Sequence, residues 1–241
     1  SATAVPGLGT YLRIGTHNSK PAVIFEAANV LVADGTGSTD GTPTGLGNLI
    51  VGYDEPTSGG DIKTGSHNLV VGTEHTYSSY GSLVAGLNNN VTSQHASVSG
   101  GYNNTASGDL SSASAGESNT ASGIRSSVSG GFSNTAEGNY ASVSGGQSNA
   151  AGGNYASASG GYRNAASGVV SSVSGGASNN AKGDYSSVSA GTQNAASGVV
   201  SSVSGGNSNV VVGDFASVSG GKDRTAAGVN AWAAGTLLET N

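Results

Sequence analysis

The stretch Ala141–Tyr155 reads ASVSGGQSNAAGGNY, and close copies of it follow one another through most of the 241-residue chain. The position of Val143 recurs every 15 residues, at Val98, Ala113, Val128, Val143, Ala158, Val173, Val188, Val203 and Val218. The two serines beside this position never change in the nine copies, and neither do the glycines equivalent to Gly146 and Gly153. A strict repeat of this kind indicates a solenoid, in which each coil stacks on the next.

The length of the repeat limits the kind of solenoid. Helical-hairpin repeats need roughly 33 to 47 residues, and collagen needs glycine at every third position, so both are excluded. Fifteen residues suit two short strands joined by two tight turns. In the copy that begins at Ala96, strand alternation puts Ala96, Val98 and Gly100 on the inward face and the two serines on the outward face. We therefore predict an all-β protein, a parallel β-solenoid with 15-residue coils.

The composition indicates that each coil is thin. Glycine supplies 42 residues and aromatic residues only 5% of the chain, so alanine and valine have to form most of the core. An asparagine recurs in every regular coil except the last, where Arg224 stands: Asn104, Asn119, Asn134, Asn149, Asn164, Asn179, Asn194 and Asn209. We expect these amides to form a structural ladder from coil to coil, as in cross-β stacks. Binding of a metal or ligand is the functional alternative for this row.

The repeat loosens towards both ends, which divides the chain into four parts. Residues 1–47 are expected to hold an N-terminal β cap and the first irregular coils, 48–93 irregular coils with loop insertions, 94–228 the nine regular coils, and 229–241 a C-terminal cap. In the C-terminal cap, we expect Trp232 to plug the last coil, because the ends of a solenoid expose strand edges. A docking surface for a following segment is the alternative.

Strands and loops can also be predicted upstream of the regular coils. The segments Tyr11–Gly15 and Ala22–Glu26 are expected to be strands of the cap. Bulkier versions of the repeat strand are expected at Asn29–Val32, Asn48–Val51, Asn68–Val71 and Ser82–Ala85. The segments Gly35–Gly47 and Tyr53–Gly65 are rich in Gly, Thr, Asp and Pro and are predicted to be loops. These loops either take part in recognition or only cover the open end of the solenoid.

Aromatic residues form two rows in the repeat. Tyr102, Phe132 and Tyr162 follow the double glycine in alternate coils, and a second row holds Tyr140, Tyr155, Tyr185 and Phe215. Such rows can stack on sugars or pack against polypeptide ligands. The competing interpretation is that they lie between subunits, where tyrosine and phenylalanine are also enriched.

The residues needed for catalysis are missing from the sequence. No G-x-S-x-G nucleophile elbow occurs, the acidic residues are scattered, and the four histidines, His17, His67, His75 and His95, lack zinc-site spacing. The chain has no cysteine, and its net charge of −6 makes nucleic acid an unsuitable partner. No run of 18 apolar residues exists for a membrane span. We expect no enzyme activity, no metal and no cofactor. The alternative for the histidines is ion binding, since His67 and His95 lie two coils apart and could face the same side of the solenoid.

The motif Ser-Val-x-x-Gly-x-x-x-x-Ala-x-Gly, over roughly residues 48–228, resembles the head repeat of trimeric autotransporter adhesins. The resemblance implies a left-handed parallel β-roll, a homotrimer packed around a threefold axis, and an extracellular head that binds a matrix or cell surface. In this chain the coil is one residue longer than the commoner coil of that family, and Gly100 and its equivalents stand where the family has a bulky aliphatic residue. Trimeric β-rolls of phage-type tail fibres are similar, and the sequence fits both settings.

The functions that remain belong to different classes. The first is an adhesive head or stem of a surface fibre that binds a host, matrix or glycan surface through many weak contacts, multiplied by trimerisation. The second is a purely structural spacer or subunit that assembles end to end into an extracellular filament. An ice-binding solenoid would need regular threonine rows, yet the row of Thr105, Thr120 and Thr135 continues as Ala150 and Ala165. A carbohydrate lyase would need a cluster of acids and bases that this chain lacks.

Overall fold

The computed structural model describes residues 11–57 and 59–235, and within them it is an all-β parallel solenoid. The predicted fold class is therefore confirmed, with no helix in the described residues. An antiparallel hairpin of β1 (Leu12–His17) and β2 (Lys20–Phe25) precedes the solenoid. Each coil then contributes one strand to a first sheet of 13 strands and, for eleven coils, one strand to a second sheet of 11 strands.

The strands of the two sheets alternate along the chain. The first sheet contains β3 (Leu49–Val51), β4 (Leu69–Thr73), β6 (Leu83–Leu87), β8 (Ser97–Val98), β10 (Ser112–Ala113), β12 (Ser127–Val128), β14 (Ser142–Val143), β16 (Ser157–Ala158), β18 (Ser172–Val173), β20 (Ser187–Val188), β22 (Ser202–Val203), β24 (Ser217–Val218) and β26 (Trp232–Ala233). The second sheet contains β5 (Thr76–Tyr77), β7 (Asn90–Val91), β9 (Thr105–Ala106), β11 (Thr120–Ala121), β13 (Thr135–Ala136), β15 (Ala150–Ala151), β17 (Ala165–Ala166), β19 (Asn180–Ala181), β21 (Ala195–Ala196), β23 (Val210–Val211) and β25 (Thr225–Ala226). Every neighbouring pair is parallel, so equivalent residues of successive coils lie side by side.

The core lies between the two sheets and is built from very small side chains. From the first sheet it takes Val98 and its equivalents, and from the second sheet Ala106 and its equivalents, all of them buried. The position before the first-sheet strand also points inward, although serine holds it in several coils; Ser126 is one such residue, and its buried hydroxyl has no hydrogen-bond partner. Burial of one valine contributes about 1.5 to 3 kcal/mol, so the backbone ladders have to supply much of the remaining order.

Gly100 departs from the predicted alternation. We expected it on the inward face with Ala96 and Val98, but it lies outside the core, and a Cβ atom added to it would meet nothing within 4 Å. The chain bends directly after β8, so alternation stops at Val98 and no longer decides where Gly100 faces.

The register of the sheet shows where the fifteenth residue of the regular coil sits. Strand β6 is continuous from Leu83 to Leu87, and it follows β4 by 14 residues. In the next coil Val98 still pairs with Val84, whereas Tyr102 pairs with Leu87. Leu87 comes three residues after Val84, whereas Tyr102 comes four residues after Val98. The additional residue therefore lies at Ser99–Gly100, and it splits the long strand into a two-residue strand, a bend and an isolated bridge.

The segment before the solenoid is only partly as predicted. Both expected cap strands are present, and each extends beyond its expected range at one end. They pair with one another, with Leu12 opposite Phe25 and His17 opposite Lys20. The expected strand at Asn29–Val32 does not form. That prediction was wrong because the segment makes no ladder with β3, and Leu31 is largely exposed instead of being held against a neighbouring strand. The segments predicted as loops contain no strand within the described residues.

Candidate binding surfaces

The asparagine row forms a continuous ladder in the interior. In Asn119, the side-chain oxygen accepts the backbone N–H of Asn134 at 3.0 Å, and Nδ2 donates to the carbonyls of Ala115 at 2.9 Å and Gly131 at 3.0 Å. The other seven asparagines of the row repeat this arrangement and are buried. Each amide side chain thus links its own coil to the next one, and its hydrogen-bond partners are mainly backbone groups and not the neighbouring amide side chain. With all of its donors and acceptors occupied, the row has no free group for a ligand.

His75 continues this ladder upstream and was missed by the sequence analysis. Its Nδ1 lies 3.2 Å from the backbone nitrogen of Asn89, and its Nε2 lies 3.1 Å from the carbonyl oxygen of Val71. A neutral ring with its proton on Nε2 makes both bonds, one accepted and one donated, as the asparagine amide does. The side chain is fully buried. The sequence signal was hidden because His75 lies 14 residues before Asn89, and not 15, and so falls out of the 15-residue alignment.

The loop at residues 53–65 is fastened to the solenoid by buried polar contacts. The hydroxyl of Tyr77 donates to Asp54 at 2.8 Å, and Lys63 donates to the same carboxylate at 2.9 Å. Burial, followed by the bond to Asp54, raises the pKa of Tyr77 above its usual value. The backbone N–H and the hydroxyl of Thr57 both donate to Asp61 at 2.7 Å. These two carboxylates thus hold the loop in place.

A small cleft of about 260 Å³ lies beside the first coils. It is lined by Leu31, Val32, Ala33, Asp34, Gly37, Ser38, Thr39 and His67. The hydroxyl and the backbone N–H of Thr36 donate to Asp34 at 2.7 and 2.9 Å, and these bonds lower the pKa of the carboxyl group. His67 Nε2 lies 3.5 Å from Asp34 Oδ1, whereas His95 packs its ring edge against Tyr80. The two histidines therefore have separate partners, and the described residues contain no group of three or more potential metal ligands.

The remaining candidates lie at the two turns of the coil, which form opposite edges of the solenoid. We call the turn that leads from the first sheet to the second, residues 99–103 and their equivalents, the glycine edge. It carries three columns in the regular coils: an exposed serine at the position of Ser99, a small residue at the position of Gly100, and the row of Tyr102. Cβ atoms added to Gly100, Gly145, Gly160 or Gly175 would meet nothing, whereas one added to Gly101 would lie 2.2 Å from the carbonyl oxygen of Gly116.

The first aromatic row stands on the glycine edge in a single column. Isolated parallel bridges link Tyr102, Glu117, Phe132, Gln147 and Tyr162 in that order, so polar and aromatic side chains alternate. The three aromatic side chains are about 40% exposed, at 44%, 42% and 39%. Their rings are two coils apart, roughly 10 Å at the spacing of paired strands. The guanidinium of Arg163 lies 4.9 Å from the ring centre of Tyr162.

The second turn, residues 107–110 and their equivalents, forms what we call the apolar edge. Its exposed apolar side chains are Leu110, Ile124, Tyr140, Tyr155, Val169, Val170, Tyr185, Val199, Val200, Val212, Phe215 and Val229. Seven of them, among them the whole second aromatic row, have φ between 55° and 60°. Bulky and β-branched residues rarely adopt this left-handed backbone, which costs about 1 to 2 kcal/mol for each residue. The chain therefore keeps large exposed side chains at positions where glycine or asparagine would be easier to accommodate.

Polar and aromatic contacts order the side chains of the apolar edge. Asn139 and Asn154 accept backbone N–H groups of the preceding coil at 3.0 Å, and Asp184 and Asp214 do the same at 2.9 and 2.8 Å. The rings of Tyr140 and Tyr155 stack with centres 4.8 Å apart and planes 5° apart. Because these two rings cover one another's faces, they present mainly edges outward. Such an arrangement suits apolar packing better than stacking on a sugar ring.

Trp232 does not occupy the position that we predicted. It pairs with Ser217 in the first sheet and so lies on the outward face, where it is 68% exposed and donates its indole N–H to Ser219 at 2.7 Å. The prediction that it plugs the last coil was wrong because strand alternation assigns the inward positions of that coil to Ala231 and Ala233. Residues 236–241 of the expected C-terminal cap lie outside the described residues.

A scan against protein-family models finds no match, and a search of curated proteins finds no significant match either. The class that the structure itself defines is the parallel β-solenoid, whose coils are compatible with a β-roll. Among the described residues, no helix is long and apolar enough to cross a membrane.

Proposed function

We propose that this protein is the non-enzymatic, extracellular head or stem of a surface fibre, and that it binds a host, matrix or glycan surface through many repeated contacts. The observation that carries the proposal is the pair of edges, each with columns of exposed side chains that run along the stack of coils. Repetition at a fixed spacing lets one molecule make many weak contacts at once, which raises the total affinity far above that of a single contact.

The interior of the coil supports this proposal because it makes the scaffold stiff. Every regular coil is joined to the next by two strand ladders, by the isolated bridges of the glycine edge and by one asparagine. The elongated shape places loops and turns, rather than a cavity, on the surface. Loops held by a rigid scaffold are common recognition sites. Asp54 and Asp61 of the upstream loop accept structural hydrogen bonds, which favours a structural role for them over catalysis.

We further propose a homotrimer related to the heads of trimeric autotransporter adhesins, with the apolar edge between subunits. At the observed exposures, the four aromatic side chains of this edge alone leave on the order of 400 Å² open. With the valines, leucine and isoleucine added, the apolar surface exceeds the few hundred Å² that a soluble monomer commonly leaves exposed. A second copy of the chain has the same coil spacing, so its side chains can match the column along its whole length.

The experiment that tests this function measures mass and binding together. Light scattering on a sizing column, over a dilution series, is expected to give three times the chain mass of 23.1 kDa. The same sample is then applied to immobilised matrix proteins, cultured cells and glycan arrays, and we expect retention on at least one of these surfaces. A stable single-chain mass would remove the support for a trimeric head. Retention on no surface would remove the adhesive function.

The alternative function, a structural subunit that assembles end to end, is favoured by one observation. The outward face of the last described coil carries the exposed indole of Trp232 where the other coils carry serine. An exposed large side chain at the end of a stack can be covered by another molecule. In the dilution series, a mass that grows with concentration without a limit, and that stops growing in Trp232→Ser, would favour the filament over the trimeric head.

A further inference from the structure

From the glycine edge we infer a specific ligand: an extended, neutral, β-linked glycan that lies along the column from Tyr102 to Tyr162. This inference rests on the proposed adhesive function and deepens it by naming the ligand class and the site. It depends on three features of the edge, which are the open glycines, the alternation of aromatic and polar side chains, and the charge.

Four of the seven glycines at the shelf position are not required by the backbone of the single chain. At Gly100, Gly145, Gly160 and Gly175 an added Cβ atom would meet nothing within 4 Å, and φ is not positive at any of them, whereas Gly130, Gly205 and Gly220 have φ between 147° and 158°. Two other coils carry alanine at this position, Ala115 and Ala190, so the fold accepts a side chain there. Glycine at such a place keeps a surface low, which allows another molecule to approach the backbone closely. The register shows that this shelf exists only in the 15-residue coils, because the additional residue forms it.

The column beside the shelf has the chemistry of a sugar-binding surface. Tyr102, Phe132 and Tyr162 can each offer a ring face to the apolar face of a pyranose. Between them stand Glu117, which accepts hydrogen bonds, and Gln147, which both donates and accepts them. On the other side of the shelf, the exposed hydroxyls of Ser99, Ser114, Ser129, Ser144 and Ser159 form a row with the same spacing. A glycan on the shelf would therefore meet rings on one side and hydroxyls on the other.

The spacing of the rings selects an extended chain of sugars. Rings two coils apart are separated by roughly 10 Å, which is close to the length of one disaccharide unit in an extended β-1,4-linked glycan. The column from Tyr102 to Tyr162 spans four coil steps, or about 19 Å, enough for four sugars. The apolar edge has the same two-coil spacing at Tyr155, Tyr185 and Phe215, but valines instead of polar residues stand between these rings, and Tyr140 stacks on Tyr155.

The charge of the edge disfavours acidic glycans. Between Tyr102 and Tyr162 the column contains Glu117 and no lysine or arginine, and the chain as a whole carries a net charge of −6. The cation at the end of this stretch, Arg163, lies against the ring of Tyr162. Sulfated or uronic-acid chains would be repelled, since they need cationic side chains along their length. Neutral glycans of the glucan or chitin type remain as the ligand.

The first part of the test uses the complete chain and defined oligosaccharides. Isothermal titration with cellohexaose and chitohexaose is expected to show binding of at least one of them, and heparin hexasaccharide is expected not to bind. Phe132→Ala should weaken binding about tenfold or more, as the loss of a central aromatic contact does in other binding sites. Phe25→Ala removes the same exposed side chain from the N-terminal hairpin, outside both edges, and should leave the affinity unchanged.

The second part blocks the shelf without touching an aromatic residue. Gly145→Leu should fold, because its Cβ position is open, and should abolish glycan binding. Light scattering on this variant is expected to give the same mass as the unmodified chain. The inference is overturned if neither neutral hexasaccharide binds, if Phe25→Ala weakens binding as much as Phe132→Ala, or if Gly145→Leu changes the mass and thereby shows that the shelf packs against another subunit. A chain that is retained on matrix or cells but ignores both hexasaccharides would refute this inference and leave the proposed function standing.

Discussion

The two edges of the solenoid solve the same backbone problem with different residues. Each turn needs one residue in the left-handed region directly before an inward-facing side chain. On the glycine edge this residue is polar, as at Asn103, Ser118 and Ser208, whereas on the apolar edge it is usually large and apolar, as at Tyr185 and Val200. The same left-handed position with opposite chemistry means that this backbone conformation does not by itself explain the apolar residues. Their presence, despite the cost of the conformation, supports the proposal that this edge contacts another subunit.

The edges also differ in how their glycines are used, and this difference predicts the largest effect of a substitution. Gly138 lies beneath the apolar edge, and a Cβ atom added to it would lie 1.9 Å from the carbonyl oxygen of Gly153. We expect Gly138→Ala to lower the free energy of unfolding by about 4 kcal/mol or more, because backbone of the next coil has to move. Gly145→Ala on the glycine edge is the matched control and should change it by less than about 0.5 kcal/mol.

Denaturant unfolding followed by circular dichroism measures both variants. If Gly138→Ala and Gly145→Ala unfold at the same denaturant concentration, a side chain is tolerated equally at the two positions. This outcome would contradict the assignment of Gly145 to an open shelf. Comparison of midpoints is preferred to extrapolated energies, because a repeat array can unfold in more than one step.

The second prediction compares the loss of one asparagine from the buried ladder with the loss of one from the exposed row on the apolar edge. Asn134→Ala leaves the backbone N–H of Asn149 without an acceptor and two carbonyls with one donor fewer. Because unsatisfied buried groups cost about 1 to 3 kcal/mol each, we expect a loss of about 3 kcal/mol. Asn139→Ala removes an exposed acceptor of the N–H of Ile124, which water can replace, and should cost about 1 kcal/mol or less. Equal losses in thermal unfolding would contradict this ranking.

The third prediction is that one substitution on the apolar edge stabilises the chain and at the same time weakens its association. Val200→Asn relieves a β-branched residue with φ of 55° and should raise the free energy of unfolding of the isolated chain by about 1 kcal/mol. The same variant removes apolar area from the proposed subunit contact, so the oligomer should dissociate at higher protein concentration. Ser208→Asn, at the corresponding position of the glycine edge, should change neither quantity. Thermal unfolding at low concentration and light scattering over a dilution series separate the two effects; a stabilised chain with unchanged association would contradict the assignment of the apolar edge as an interface.

The sequence predicted the fold because the repeat itself carries the information. A constant spacing puts equivalent residues in register, so the position of Val98 had to form one buried column and that of Ala106 another. Alternation failed at Gly100 and at Trp232 for different reasons. Near Gly100 the strand ends, which no rule based on period two can foresee. At Trp232 the alternation was correct, and the expectation of a plug overrode it.

The sequence revealed only part of the candidate binding surfaces. Both aromatic rows could be found by alignment, but their different surroundings could not. The left-handed backbone under Tyr140 and Val170 leaves no sequence signal, since the residues that usually mark it, glycine and asparagine, are absent. The role of His75 required the register of two 14-residue coils, which breaks the alignment of the rest of the chain.

The way each coil is closed has a consequence for how the chain reaches its folded state. Parallel sheets usually fold slowly, because their strands are joined by long crossovers whose ends have to find one another. Here each strand pairs with one only 15 residues away, and the same is true of the asparagine bonds. The sequence distance between partners therefore stays constant however many coils are added. A completed coil also offers its row of unpaired N–H and C=O groups as a template for the next, so folding can proceed as sequential growth from a nucleus at any point along the chain.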